Sequence, residues 1–254
     1  MRLRQLPSSF DDSGAASPRQ HLACFVIDGT VALDAGSLAL AATAAERGAI
    51  RDVIVTHAHI DHIATLPLFI DDLFTSLERP VLVHAMPEVL AVLESDVFND
   101  RVYPRFHRMR NERGPVLQFV PLHPGVPSRI AHLTVTAVPV HHAVPTAGLL
   151  LDDGTAAVGY SSDTTATDSF WKLLAGAPRL KAVLLESAFP DALAELARLA
   201  GHLTPRSFSS ERHKLGREVP VWAVNVKPLF LADVLRELER LGIPRLTPGA
   251  VLEL

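Results

Sequence analysis

Short apolar runs and apolar positions spaced three and four apart assign most of this chain to elements. HLACFVID and TVALDAG read as two strands around the turn Asp28-Gly29, the pairing of an antiparallel hairpin. The Ala-rich SLALAATAAERGA follows as a helix, and the β-branched run DVIVT as a buried strand ending at Thr56. Next come a mostly apolar helix from about Leu66 to Leu77, the strand VLVHA, the helix PEVLAVLESDVF and an irregular basic stretch, NDRVYPRFHRMRNERGP. Strand-like runs resume with VLQFVPL, LTVTAVPV, AGLLL and TAAVGYS, the last two joined by a turn at Asp152-Asp153-Gly154-Thr155. Helix DSFWKLLAGA, strand KAVLLE, helix DALAELARLAG, a helix opened by Thr204-Pro205, strand VPVWAVN and helix LFLADVLRELERLG complete the pattern. Hairpins early and in the middle, with helices distributed between buried strands, predict two packed sheets covered by helices rather than one doubly wound sheet.

Composition narrows the partners. The 254 residues are 48% hydrophobic and 20% charged, the balance of a soluble globular chain of one or at most two domains. Lys+Arg minus Asp+Glu is 24 − 28 = −4, so no global basic field exists to hold a long nucleic acid, and small substrates are favoured. The single cysteine, Cys24, excludes an internal disulfide and a Cys-rich zinc site, which leaves any metal to histidine, carboxylate or carboxamide, with 12 histidines available. The start, MRLRQLPSSFDDSGAASPRQ, has no apolar h-region, and no later run approaches the ~20 apolar residues of a membrane span. The expectation is a cytoplasmic protein with a polar lead over 1–20 and a single domain over 21–254, carrying a basic insertion around 97–115. Apolar helices such as LPLFIDDL suit a homodimer as readily as a monomer.

The strongest chemical signal is VTHAHIDHIA, in which His57, His59, Asp61 and His62 follow an apolar strand directly. A loop at a strand end turns such side chains inward, and imidazole nitrogens with a carboxylate oxygen suit zinc or another divalent transition metal. Spacing pairs His57 with His59 on one ion and turns Asp61 and His62 toward a second. Four solvated or core residues are the plain alternative, a poor one because burying several imidazoles and a carboxylate together needs compensation.

HxHxDH is the hallmark of the metallo-β-lactamase superfamily, and the chain resembles it. Similarity to the class II cyclic-nucleotide phosphodiesterases extends through LDAGS at 33–37, VFNDRVYPRF at 97–106, PVHHAVPTAG at 139–148, YSSDTT at 160–165, ESAFPD at 186–191, GHLTP at 201–205 and VKP at 226–228. The resemblance implies an αββα four-layer sandwich with a metal site at one edge. It implies that His142 completes the first metal's ligands, that Asp163 bridges two metals, and that Asp34 is a buried structural carboxylate nearby. From spacing alone either His141 or His142 serves, and Asp163 reads as a turn or capping residue. The resemblance further implies that Glu186 and His202 form the couple that phosphodiesterase members use against the leaving group, which adds both to Asp61 as catalytic candidates. A carboxylate on one imidazole nitrogen fixes the tautomer and raises basicity, leaving the other nitrogen to deliver a proton.

Asn225 departs from the pattern. The resemblance expects a histidine ligand to the second metal there, and an amide oxygen binds zinc less well, so the second position is expected to be weaker or to favour manganese or iron. Thr65, Ser162 and Thr165 stand where glycines are expected. Arg105, Phe106 and His107, in the basic stretch, are candidates for clamping a phosphate and stacking on a base.

Together these imply two divalent ions, zinc first, and hydrolysis of a 3′,5′-cyclic nucleotide (cyclic AMP or GMP) to the 5′-monophosphate by a hydroxide held between the ions. The alternatives are a tRNA 3′-processing endonuclease or another hydrolase of the same fold and, from a different class, a degenerate metal-binding fold without activity.

Overall fold

A computed structural model describes residues 1–254. In chain order its strands are β1 (Arg2–Gln5), β2 (Phe25–Ile27), β3 (Val31–Leu33), β4 (Asp52–Ile54), β5 (Val81–Ala85), the small ribbon β6 (Arg110–Asn111) and β7 (Gly114–Pro115), then β8 (Leu117–Pro121). They continue with β9 (Ser128–Ile130), β10 (Leu133–Val140), β11 (Thr146–Asp152), β12 (Ala157–Tyr160), β13 (Leu180–Glu186), β14 (Val221–Val224) and β15 (Val251–Glu253). One sheet runs β15-β1-β2-β3-β4-β5-β8 and the other β14-β13-β12-β11-β10-β9. A single apolar cluster joins Leu33, Val53 and Val83 of the first sheet to Val135, Leu149 and Tyr160 of the second, so the sheets pack face to face.

Helices cover the outer faces. On the first sheet lie α1 (Leu38–Ala41), α2 (Ala44–Ala49), α4 (Leu66–Leu73), reached through the single turn α3 (Ile60–Ile63), and α5 (Pro87–Val92). On the second lie α6 (Ser169–Ala175), α8 (Pro205–Arg212) and α9 (Leu231–Arg240), which bury Phe170, Trp171, Phe208, Val234 and Leu238, while α7 (Ala194–Ala200) packs Ala197 against Ala188 and Phe189. The αββα sandwich expected from the sequence is thus the observed fold. No helix is long and apolar enough to cross a membrane.

Directions within the sheets decide where chemistry collects. β3, β4, β5 and β8 are parallel, as are β12, β13 and β14. β10 and β12 both pair antiparallel with β11 and therefore point the same way. The C-terminal ends of β3 and β4 meet those of β10, β12, β13 and β14 at one edge, stitched by Ala147 N–H to Thr56 O at 3.1 Å. Parallel strands can place ligands there because their loops all leave on the same side.

Three expectations need correction. Residues 1–20 are more than a lead, because Arg2–Gln5 is an inner strand, pairing Leu3 with Ile27 of β2 and Leu252 of β15. Its two faces alternate so that Leu3 is fully buried in an otherwise polar stretch, which composition averages away. The Ala-rich segment breaks into α1 and α2 because Thr43 and Glu46 form a capping box that starts a new helix. Phe106 is 2% exposed and packs between Phe74, Phe98 and Tyr103, so it belongs to the core and offers no face to a base. Its neighbours are likewise engaged: Arg105 Nε lies 3.0 Å from Asp100, and His107 pairs with Glu94 at 3.3 Å and stacks on Phe119.

Gly36 marks the closest approach between the chain entering β2 and the loop after β4. A Cβ there would stand 2.0 Å from the Asp61 carbonyl oxygen and 2.8 Å from Ala23 N and O. Gly36→Ala is expected to cost at least ~1–3 kcal/mol, since backbone rather than a flexible side chain must move, and to lower bound metal, read from a melt and from metal content. Phe106→Ala is expected to destabilise by ~3–5 kcal/mol in urea, and an unchanged midpoint would place the ring outside the core.

Candidate metal centre

Each strand end delivers one or two of the polar groups. β4 leads into Thr56 and His57, and the next turn, α3, carries Asp61 and His62 with His59 just before it. β10 ends two residues before His142, β12 three before Asp163, β13 on Glu186, and β14 one before Asn225. The ligand-capable atoms of His57, His59, His142 and Asp163 lie within 4.8 Å of one another. Asp61, His62 and Asp163 form a second such group within 4.8 Å, and Asp163, Glu186 and His202 a third. Asp163 is common to all three. His141, by contrast, is exposed and its Nδ1 lies 2.7 Å from Ala166 O, so of the adjacent pair it is His142 that faces the cluster.

Hydrogen bonds from behind aim these side chains. His62 Nδ1 donates to Asp34 Oδ2 at 2.7 Å, which leaves Nε2 facing Asp163 Oδ2 at 3.6 Å. Asp34, fully buried, also accepts from Thr56 N–H, Thr56 Oγ1 and Tyr160 Oη, so its charge is completely engaged. His142 Nδ1 donates to Gly201 O at 2.9 Å, and its Nε2 meets His59 Nδ1 at 3.1 Å. Only glycine fits at 201, where φ is +76° and a Cβ would lie 2.9 Å from His142 Nδ1. His57 Nδ1 is held by Thr56 Oγ1 at 3.2 Å, while its Nε2, fully buried, has no hydrogen-bond partner. A buried orphan nitrogen is costly unless something not built from amino acids meets it. Pointing at the cluster, 3.8 Å from Asp163 Oδ2, it fits a cation, as does the mixed imidazole and carboxylate donor set.

Electrostatics set His62 apart from the other imidazoles. Burial holds the His57 imidazole well below its ordinary pKa, and lowers His59 and His142 as well, which keeps lone pairs available. Burial disfavours charge on Asp163, yet the neighbouring imidazoles, His62 foremost, hold its carboxyl well below the usual range. Burial likewise opposes protonation of His62, but the charges of Asp34 and Asp163 outweigh it and raise this imidazole well above its ordinary value.

Glu186 is fully buried and held by four bonds. Oε1 accepts from Thr164 N–H at 2.8 Å and from His202 Nδ1 at 2.8 Å, and Oε2 from Ala188 N–H at 3.1 Å and Leu203 N–H at 3.2 Å. Burial raises the Glu186 carboxyl, and although burial alone would lower His202, the pairing with Glu186 raises it. Next to it opens a cleft of about 460 Å³ whose walls include Asp61, Asp163, His202, Lys227 and, from the N-terminal segment, Arg19 and His21. That size suits a small ligand. Ile60 (72% exposed) and Leu229 (86% exposed) form its apolar lip.

The Asn225 amide is engaged by side chains on both sides. Its Nδ2 donates to Asp163 Oδ1 at 2.9 Å and its Oδ1 meets His21 Nε2 at 3.1 Å. A carboxylate only accepts, so the amide must present its nitrogen to Asp163 and its oxygen elsewhere. Of the three positions where glycine was expected, only Ser162 adopts a left-handed backbone, with φ +54°; Thr65 instead uses its hydroxyl to bind Ala35 O and Ala39 N–H. His21 is the group that sequence reasoning missed. It is a lone histidine before an apolar strand, and nothing in its neighbourhood along the chain signals a site.

The model of the β-lactamase superfamily domain matches residues 25–219. No curated protein matches the sequence. Among solved structures, unliganded yeast PDE1 superposes with a TM-score of 0.77 at 17% identity, covering 100% of this chain and 99% of that one. YhfI from Bacillus subtilis, a metallo-β-lactamase fold protein, gives 0.72 at 15% identity, covering 99% of this chain and 98% of that one. The short form of human tRNase Z gives 0.70 at 14%, covering 100% of this chain and 99% of that one. These likenesses concern the fold. The domain match spans most of the sandwich and both halves of the histidine and aspartate cluster, and on that ground the chain belongs to the β-lactamase superfamily.

Proposed function

We propose that this chain is a metal-dependent phosphodiesterase that opens a 3′,5′-cyclic nucleotide to the 5′-monophosphate. The observation that carries this reading is the Glu186–His202 couple, set 4.0 Å from Asp163 Oδ2 at the wall of the cleft. His57, His59, His142 and Asp163 would hold one divalent cation, zinc first, and Asp61, His62 and Asp163 the other. Bound there, two such ions supply Lewis acidity and a water made nucleophilic near neutral pH.

The protein's own groups do the rest. Lys227 and Arg19 place positive charge beside the phosphate, and the cleft walls orient the ring for in-line attack. Ile60 and Leu229 offer the apolar surface on which a base can rest. Without a proton the 3′ oxygen would have to leave as an alkoxide, a poor leaving group at neutral pH. His202, protonated and oriented through Nδ1 by Glu186, delivers its Nε2 proton to that oxygen as the P–O bond breaks. The net charge of −4 weighs against a long polynucleotide, although tRNase Z shares the fold along the full chain.

His202→Ala is expected to slow cyclic AMP hydrolysis by ~10²–10⁴-fold but bis(nitrophenyl) phosphate hydrolysis by less than about tenfold, since nitrophenolate leaves without a proton. Glu186→Gln is expected to follow the same split. Equal losses on both substrates would remove the acid role, and cleavage of a tRNA precursor in preference to cyclic AMP would replace the substrate class. Dialysis against a chelator is expected to abolish turnover, with recovery on adding zinc or manganese and metal content read in parallel. A chain that binds no ion and turns over neither substrate would be a degenerate member of the fold.

A further inference from the structure

The segment before β2 is built into the metal centre. Leu6 N–H bonds Cys24 O at 2.9 Å, Ser8 Oγ bonds Gln20 O at 2.8 Å and receives Leu22 N–H at 2.9 Å, and Ala23 N–H bonds Asp61 O at 2.8 Å. Residues 6–24 thus fold back on themselves, and the returning limb is fixed to the same loop that carries Asp61 and His62. Gly36 secures this crossing through its N–H to Ala23 O at 2.9 Å. The side chain set down by this clamp is His21, whose Nε2 lies 3.1 Å from Asn225 Oδ1.

The chemistry of the contact leaves one arrangement. Asp163 Oδ1 accepts from Asn225 Nδ2, which turns the amide oxygen to His21, and an oxygen there requires His21 to carry its proton on Nε2. A chain of two hydrogen bonds therefore runs from His21 through Asn225 to Asp163. It occupies Asp163 Oδ1 and leaves Oδ2 turned to His57, His62 and His142 at 3.8, 3.6 and 4.0 Å. Asn225 itself sits at φ +56°, a backbone that directs its short amide back toward the centre.

We propose that His21 is a positioning residue of the metal centre: through Asn225 it tethers Asp163, so that hydrogen bonding replaces the anchoring that a metal ligand at position 225 would supply. The second ion then has Asp61, His62 and Asp163 as its protein ligands, and the side of it toward residue 225 stays open to water or substrate. The assignment rests on the metal centre proposed above and is independent of which phosphodiester is cleaved.

Cobalt(II) titration of the full chain, followed by visible absorption, reads it without turnover. Because Asp163 is common to both ligand groups, His21→Ala is expected to weaken both cobalt sites together by ~10–100-fold, and His21→Gln, which keeps an N–H donor, to return both to within about threefold of wild type. Asn225→Ala should match His21→Ala, and the double variant should be no weaker than Asn225→Ala alone, because the histidine acts only through the amide. Should His21→Ala fail to fold, Asn225→Ala and His21→Gln measure the same tether. Unchanged cobalt binding in His21→Ala overturns the proposal. So does loss of one ion only without rescue by glutamine, which would make His21 a ligand in its own right. A wild-type chain taking up no cobalt would overturn the metal centre and this assignment together, whereas cobalt binding with no hydrolysis of cyclic AMP would overturn the substrate reading alone.

Discussion

The buried carboxylate of Asp163 sets the terms for everything around it. A charge only 3% exposed has lost its water, and its surroundings must replace that solvation. One oxygen takes the Asn225 amide; the other lies within 4.0 Å of nitrogens on His57, His62, His142 and His202. Those imidazoles come from three different crossings of the sandwich edge, so the carboxylate is satisfied only when both sheets are in register. Assembly of the centre therefore needs both sheets, and a divalent cation is the partner best matched to the residual charge and to the unpaired nitrogen of His57.

The cost of this convergence appears in the backbone. Asp34, Ser162 and Asn225, each just beyond a strand end, adopt φ of +54°, +54° and +56°. For residues with a side chain the left-handed region is uncommon, and aspartate and asparagine tolerate it best. The bend at each position stops the strand and swings the next groups inward instead of letting the chain continue over the sheet edge. Ser162 is the least favourable of the three, and its hydroxyl is held by Thr56 Oγ1 at 2.8 Å, a contact across the two sheets that helps to stabilise the turn. The surrounding structure holds strained turns where chemistry needs them, as is usual at functional sites.

Rigidity is graded outward from that point. Glu186, at the end of β13, is locked by four hydrogen bonds and fully buried, whereas His202, which it orients, faces the cleft. Beyond it lie the residues with freedom to adapt: exposed Arg19, Lys227 over the Phe189 ring, and the apolar lip of Ile60 and Leu229. Glu186, which orients the proton donor, sits on a strand end, and the groups that greet a ligand sit on loops, where variation leaves the core untouched.

HxHxDH after an apolar strand, the two hairpins and the amphipathic spacing of the last helix are local signals, and they sufficed for the sandwich and for marking His57, His59, Asp61 and His62 as ligand-type side chains at a strand end. Local pattern also misled where an average hid an alternation, as in Arg2–Gln5, or where aromatic and basic residues mixed, as around Phe106, because burial depends on neighbours distant in sequence. The job of Asn225 was beyond reach for the same reason: an amide's orientation is set by what stands on each side of it, here Asp163 and His21, far apart along the chain. Residue types and their spacing determined that this protein carries a cluster of imidazoles and carboxylates at a strand end. Only the tertiary structure decided which oxygen of Asp163 faces them and which histidine stands behind, since those choices are made by through-space hydrogen bonds that leave no periodicity in the sequence.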